Sequence, residues 1–444
     1  MKKSLTAIFA LLLAVCLLAA CGSESAETSS QGESSVISEA ESSIPEEISR
    51  VESSTGEDSE EEAPIPEDAV ELLFARYTSK PSFVMIGTCA QGAEVTAQLG
   101  SQSVTVPSYM GWFAVTMKAE GDSNTQEITF TQTVEGEAYD IPRTFTTRVR
   151  TPENKGTQGL ASNKAYQFFL TQMLPDHMGT VPLYNSTQLN SMASRVKDRL
   201  NQIHAYNPDA EIIYMIIPSP MTIYPELVPE EYPKGTGQSR LDQVTAKLDE
   251  AGATVIDMRE TFMEHKHDEM PLYYHLDSHW ADYGAYLAYV ELFNHISEKY
   301  PEATPRGIDE FTWTADYYTS ADAMLFLDIP QKDVKEYGYY REFKEKLPAQ
   351  IAAVPRYRGM QLIYSEDTTE EFNFNTKRKE LPSCMVFRDS YSAAIFDLIP
   401  ERMNRTHYIG MWNYGWNNAY VNSEKPDYVI YILSEWNIDQ VVSK

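Results

Sequence analysis

Glu211-Ile212-Ile213-Tyr214-Met215-Ile216-Ile217 is an almost unbroken apolar run of strand length, stopped by Pro218-Ser219-Pro220. A strand with one wet face alternates apolar and polar residues; a run without alternation predicts a strand covered on both faces, as in the middle of a parallel sheet. Upstream, Ala165 to Leu174 and Ser186 to Ala205 read as helices. Downstream, Arg240 to Ala251 reads as a helix, Thr254 to Asp257 as a strand, Arg259 to Lys266 as a helix, and Met270 to His275 as a short strand entering a loop. Ala281, Ala285 and Ala288 recur at helical spacing, and Leu287, Val290, Leu292 and Phe293 add apolar bulk up to Lys299. Ser383 to Arg388 reads as a strand, Ala393 to Arg402 as a helix, and Thr406 to Met411 and Asp427 to Leu433 as strands. Alternating helices and strands over residues 159–444 predict a three-layer α/β domain on a mainly parallel sheet. Residues of roughly 305 to 380 are rich in Tyr, Lys and Glu and read as an insertion.

In open α/β sheets, ligands bind at the carboxyl ends of strands. Three such places carry chemistry-bearing side chains. Asp277-Ser278-His279-Trp280 follows the Met270–His275 stretch and precedes a helix. Arg388-Asp389-Ser390-Tyr391-Ser392 follows a second strand, and Ser219 a third. A His with an Asp two residues away suits a general base whose tautomer is fixed by the carboxylate. Ser390 at a strand-to-helix corner suits a nucleophile, with backbone N–H groups at the helix start facing an oxyanion. Asp389 reads as the cap of that helix. Arg388 can neutralise an anionic sugar or pair with a carboxylate. Trp280, Tyr391, Trp412, Tyr414, Trp416 and Trp436 can stack on sugar rings or fill the core; Trp280 and Tyr391 are the first candidates because they flank Ser390 and His279. Two other readings compete. His275-x-Asp277-x-His279 on an extended segment would put three metal ligands on one face, although a Ser pairing explains Asp277 and His279 without metal or cofactor. A glycan-binding or envelope-assembly protein with an inert triad also fits.

Charge and cysteines narrow the class. The 444-residue chain has 65 acidic and 36 basic residues. Gly22 to Asp68 alone holds 15 acidic residues and one basic residue. So acidic a chain argues against nucleic acid as a partner. Cys16 and Cys21 lie in the leader, and Cys89 and Cys384 fall in different predicted domains, so no disulfide framework is expected.

Residues 1–20 read as a signal peptide, with Lys2 and Lys3 before the apolar Ala7 to Leu18. Leu18-Ala19-Ala20-Cys21-Gly22 resembles the bacterial lipoprotein lipobox, which implies lipidation of Cys21 and a membrane lipid anchor on the outer face of the cell. Residues 21–68 are Ser/Glu-rich and read as a disordered tether. Residues 69–152 alternate apolar and polar in the segments 82–88, 93–99, 111–117, 126–131 and 143–149, with turn residues between. This is similar to a small all-β immunoglobulin-like sandwich, serving as a spacer or as a sugar- or partner-binding module.

Asp277-Ser278-His279-Trp280 with Arg388-Asp389-Ser390-Tyr391-Ser392 resembles the DHHW family and the related alginate O-acetyltransferase type of SGNH hydrolase-like domain. Ile216-Ile217-Pro218-Ser219-Pro220 and Ile223-Tyr224-Pro225-Glu226-Leu227-Val228-Pro229 resemble that family's segment after its first long strand. Position 278 is Ser where the family's name has His. The resemblance covers about residues 159 to 440. It implies Ser390 as nucleophile, His279 as base and Asp277 as its orienting acid, acting on acetyl esters of an envelope or extracellular polysaccharide. It also implies a membrane-bound O-acyltransferase as acetyl donor if the reaction is a transfer.

Overall fold

The computed structural model describes residues 69–79, 82–108, 111–121, 125–138, 143–148, 159–162, 167–318, 336–352 and 371–444. Cys21, with the leader and tether readings over 1–68, lies outside them. The alternating stretches of the first part form antiparallel strands: β1 (Glu71–Ser79), β2 (Ser82–Thr88), β3 (Glu94–Leu99), β4 (Gln102–Pro107), β5 (Trp112–Lys118), β6 (Thr125–Val134), β7 (Glu137–Ala138) and β8 (Arg143–Arg148). One sheet has the order β1-β2-β5; the other runs β4-β3-β6-β7, with β8 also paired to β6. Phe83 and Met85 of the first sheet share one core with Val95, Ala97, Ile128 and Phe130 of the second. β4 lies outside the sequence reading; its Val104 and Val106 alternate with exposed residues and pack half-buried against this core.

Residues from 159 onward add β9 (Gly159–Ala161), β10 (Phe168–Leu170), β11 (Glu211–Ile217), β12 (Thr254–Asp257), β13 (Phe311–Tyr318), β14 (Glu336–Phe343), β15 (Phe372–Asn375), β16 (Ser383–Arg388), β17 (Arg405–Tyr408) and β18 (Tyr428–Ser434). Six of them form a mixed sheet in the order β12-β11-β18-β16-β17-β15. Every neighbouring pair in it is parallel except β15–β17.

β11 lies inside this sheet, and its alternate side chains enter different cores. Ile213, Met215 and Ile217 pack with Ala285, Tyr289, Leu292 and Phe293 of the helix α4 (Asp282–Lys299). Ile212, Tyr214 and Ile216 pack with residues of α1 (Ser186–His204) and α2 (Arg240–Glu250). Stacked rings run across the second face, Tyr214 on Tyr431 at 4.6 Å and Phe387 on Tyr431 at 4.8 Å. Both helices start on capping boxes, Asn185 with Gln188 and Ser239 with Asp242. The remaining longer helices are α3 (Arg259–His265), α5 (Asn418–Glu424) and α6 (Ile438–Ser443). Cys89 and Cys384 are buried, and neither is in a disulfide.

Several expectations are corrected. The helix expected from Ala165 is instead β10, paired with β9, followed by a 3-10 turn and a single helical turn at Leu174–His177. The strand expected over Met270–His275 is a folded turn: Tyr273 bridges Trp280, Tyr274 N–H donates to His279 O at 3.2 Å, and Ala281 N–H to Leu272 O at 2.8 Å. Gly284 lets this turn lie against α4, since a Cβ there would sit 2.5 Å from Leu272 O. The helix expected over Ala393–Arg402 is split into a 3-10 turn, Ser390–Ile395, and a helical turn, Leu398–Glu401. Pro400 has no N–H to give the Phe396 carbonyl, which accepts the Tyr408 hydroxyl at 3.1 Å instead. The region read as an insertion contains the β13–β14 hairpin and the antiparallel edge strand β15.

At the β17 edge, His407 lies between Glu424 at 2.6 Å and Glu371 at 3.3 Å, joining β17 to α5 and to the approach to β15. Burial disfavours its charged form, but the two carboxylates outweigh that and raise its pKa above the ordinary histidine value. A raised folded pKa stabilises fully below the unfolded value and is lost as pH rises through the folded one. Stability followed by urea unfolding should therefore fall from about pH 6.5 upward. His407→Gln should flatten that part of the profile.

Candidate active site

The turn Leu272–Ala281 and the corner after β16 meet at the carboxyl end of the sheet. Asp277 and His279 occupy the turn; Ser390 opens the 3-10 turn behind Arg388. Asp277 Oδ1 lies 2.6 Å from His279 Nδ1 and also accepts the His279 backbone N–H at 3.0 Å. His279 Nε2 lies 2.8 Å from Ser390 Oγ. A carboxylate can only accept, so Nδ1 carries the proton and Nε2 is left to accept from the hydroxyl. The three residues are nearly enclosed, Asp277 at 0 %, His279 at 4 % and Ser390 at 4 % exposure. Asp277 Oδ2 is buried and accepts no hydrogen bond from any described residue. Its charge is therefore directed onto His279.

Other contacts hold the two segments together. Trp280 donates its ring N–H to the Tyr391 carbonyl at 2.7 Å, and Tyr391 donates its hydroxyl to the Ser278 carbonyl. The Tyr391 ring lies 5.2 Å from the His279 ring and 5.9 Å from Trp280. Asp389 braces the corner from below: Oδ1 accepts Tyr391 N–H at 2.9 Å, and Oδ2 accepts Ser434 N–H and hydroxyl at 2.7 Å and Asn437 Nδ2 at 2.8 Å. Burial pushes its carboxyl pKa up against the pull of these donors.

The strand β14 braces both segments. Glu336 is fully buried; its carboxylate accepts His275 N–H at 3.0 Å and also Leu276 N–H, the two amides just before Asp277. Arg341 N–H donates to Asp282 at the start of α4 at 3.0 Å. Its guanidinium grips Asp397 at 2.7 Å and the Ala394 carbonyl at 2.6 Å, just beyond Ser390.

The four residues expected to bind substrate are placed otherwise. Trp280 is wholly enclosed and ties the segments together. Tyr391 is 6 % exposed and does the same. Arg388 is 1 % exposed and lies over the rings of Phe396 at 4.9 Å and Tyr408 at 5.7 Å, where burial pushes its pKa down to about 10. It faces the core, not an anionic sugar. Ser219 is buried; its N–H donates to Glu435 at 2.7 Å and its Oγ caps the turn at Thr222 N–H at 3.3 Å. The oxyanion expectation is also narrowed. Asp389 occupies the Tyr391 N–H, whereas the Ser390 N–H has no partner among the described residues. The metal arrangement of His275, Asp277 and His279 needs an extended segment, and the turn does not supply one; no set of three ligating side chains occurs among the described residues.

Sequence reasoning missed Glu336, Arg341, Ser434 and Asn437. They come from two separate stretches, β14 and the end of β18, and only the tertiary fold brings them to the site.

The fold contains an SGNH hydrolase-like domain. Residues 180–350 match the family model described as SGNH hydrolase-like domain, acetyltransferase AlgX, which bears out the resemblance read from the sequence motifs. The match holds Asp277 and His279 and ends before Ser390. No curated protein matches this chain. Among solved structures, Bacillus cereus PatB1 with a sulfonyl adduct is similar at 13% identity and a TM-score of 0.49, covering 64% of this chain and 97% of its own. A DHHW family protein from Eubacterium siraeum is similar at 12% identity and a TM-score of 0.43, covering 71% and 92%. The O-acetyltransferase domain of Pseudomonas putida AlgJ is similar at 15% identity and a TM-score of 0.40, covering 64% and 92%.

Replacing Glu336 by Ala orphans two buried N–H groups, at about 1–3 kcal/mol each. The urea midpoint of Glu336→Ala should drop accordingly; a midpoint unchanged from wild type would show that the clamp is not needed to hold the turn.

Proposed function

We propose that this protein is a serine-dependent O-acetyltransferase or acetylesterase acting on an envelope or extracellular polysaccharide. The observation that carries the reading is the unbroken chain Asp277–His279–Ser390, with its bonds of 2.6 and 2.8 Å. The match of residues 180–350 to an acetyltransferase family model supports it.

In this mechanism Ser390 Oγ attacks the carbonyl carbon of an acetyl ester while His279 Nε2 takes its proton. The Ser390 N–H is free to stabilise the oxyanion. Asp277 holds the ring and stabilises the imidazolium. His279 then returns the proton to the departing alcohol, leaving acetyl-Ser390. In the second half, His279 deprotonates an incoming hydroxyl, which attacks the acetyl carbonyl, and the proton passes back to Ser390. A sugar hydroxyl gives transfer; water gives hydrolysis. The near-complete enclosure of Ser390 suits a group as small as acetyl.

Residues 159–444 serve in this proposal as a three-layer catalytic domain, and 69–152 as an immunoglobulin-like spacer, supported by its two sheets around one core. Residues 1–20 would direct export, Cys21 would carry the lipid anchor, and 21–68 would be the tether at the cell surface. No helix among the described residues is long and apolar enough to cross a membrane. A membrane-bound O-acyltransferase would supply the acetyl group.

Ser390→Ala should abolish turnover of 4-nitrophenyl acetate, and wild type should be labelled on Ser390 by a serine-reactive phosphonate. A wild-type protein that neither labels nor turns over would favour a non-catalytic glycan-binding or envelope-assembly role. Asp277→Asn should leave the fold intact but lower kcat by about a thousandfold or more, because the ring is then held in the wrong tautomer; a drop of less than about tenfold in the same assay would remove Asp277 from the proposed triad.

A further inference from the structure

The backbone of Trp412 has φ of +70°. A bulky residue in the left-handed region is strained, and glycine would take this place without cost. Strain of this kind persists where the surrounding structure imposes it, and it gathers at ligand sites. Trp412 follows β17, and its N–H donates to the Arg388 carbonyl at 3.2 Å, two residues before Ser390. Its side chain packs against the cluster of Tyr274, Ala281, Tyr340 and Met411, as does Ala393. The indole thus borders a cluster to which the turn carrying Asp277 and His279 contributes Tyr274 and Ala281 and against which Ala393 of the turn opened by Ser390 packs; it also packs against the core on the α1 and α2 face.

Its polar edge is also unusual. Trp280, Trp313 and Trp416 donate their ring N–H groups to the Tyr391 carbonyl at 2.7 Å, the Ile308 carbonyl at 3.3 Å and Gln202 at 2.9 Å. The ring N–H of Trp412 has no acceptor among the described residues and is not among their buried, unsatisfied atoms. The side chain is half-buried: one part is fixed by packing, the rest faces outward. A fixed apolar face with an unspent N–H on its edge matches a sugar ring, which offers C–H groups on its face and hydroxyls around its rim. Trp436 also lacks a ring N–H partner among the described residues, but it is 39 % exposed and belongs to neither core.

We propose that Trp412 is the platform of the acceptor subsite, stacking on the pyranose ring whose hydroxyl exchanges acetyl with Ser390. This rests on the reading of Ser390 as acyl carrier. The platform holds the acceptor hydroxyl against the acetyl-serine and so favours the sugar over water as the attacking group.

The test uses the protein with 4-nitrophenyl acetate as donor and chitopentaose, cellopentaose or mannopentaose as acceptor. 4-Nitrophenol release reports acetylation of the protein, and mass spectrometry reports acetylated oligosaccharide. Wild type should acetylate at least one of the three. Trp412→Gly removes the ring and relieves the backbone, and should lower the ratio of transfer to hydrolysis about tenfold; Trp412→Tyr, which keeps an aromatic face, should recover most of it. The proposal is overturned if the ratio is unchanged in Trp412→Gly, if Trp436→Ala lowers it in place of Trp412→Gly, if both activities vanish together in Trp412→Gly and Trp412→Tyr, or if wild type hydrolyses the donor but acetylates none of the three sugars. Each of those leaves Ser390 as acyl carrier untouched. Donor hydrolysis at the wild-type rate in Ser390→Ala would remove the underlying reading instead.

Discussion

The hydrogen bond between His279 Nε2 and Ser390 Oγ joins residues 111 apart in the chain. Neither segment is regular structure at that point: one is a turn, the other a 3-10 corner. Such segments hold a shape only when their polar groups are satisfied locally and their side chains are packed. The two reciprocal bonds, Trp280 to the Tyr391 carbonyl and Tyr391 to the Ser278 carbonyl, do this across the joint. Large aromatic residues act here as fasteners.

Buried carboxylates take up several of the backbone donors nearby. Glu336 accepts the amides ahead of Asp277, Asp389 those around the Ser390 corner, and Glu435 the amide of Ser219. Burial pushes Asp389 and Glu435 toward protonation, while the donors oppose it. Asp389 is thus held by the N–H groups of Tyr391 and Ser434 and the side chains of Ser434 and Asn437, and Glu435 by the Ser219 N–H and the Thr222 hydroxyl. A charge-assisted bond to a peptide N–H orients backbone as well as satisfying the acid. Asp277 is arranged differently, with one oxygen on His279 and the other unbonded among the described residues.

The parts legible in the sequence were those with a strong local signal. The unalternating run at Ile212–Ile217 placed an inner parallel strand, and the end of the strand Ser383–Arg388 placed Ser390 at the carboxyl edge of the sheet; Asp277 and His279 reach it from a turn where the sequence suggested a strand. Asp389 was read as a cap, and it does cap the turn at Tyr391. The role of Arg388 was misjudged because a sequence shows charge but not burial; two aromatic rings from later in the chain enclose it. Trp280 and Tyr391 lie beside the triad as their place in the sequence suggests, and their ring N–H and hydroxyl are spent on the joint between the two segments. Glu336 had no local signal at all: it begins a strand in a stretch rich in Tyr, Lys and Glu, and its partners lie about sixty residues earlier. Helix ends were lost where Pro400 withdrew a donor and where β10 found a partner in β9.

The two described thiols bear on how the site can be studied chemically. Cys384 sits on the strand that leads to Ser390, yet burial pushes its pKa up to about 12, so at neutral pH the sulfur keeps its proton. Cys89 is likewise enclosed, in the other sheet system. A thiol in that condition is a poor nucleophile. An electrophilic reagent therefore meets no competing anion at the Cys384 sulfur, and an adduct formed beside the Ser390 corner can be read as a property of an oxygen or nitrogen centre without first replacing that cysteine.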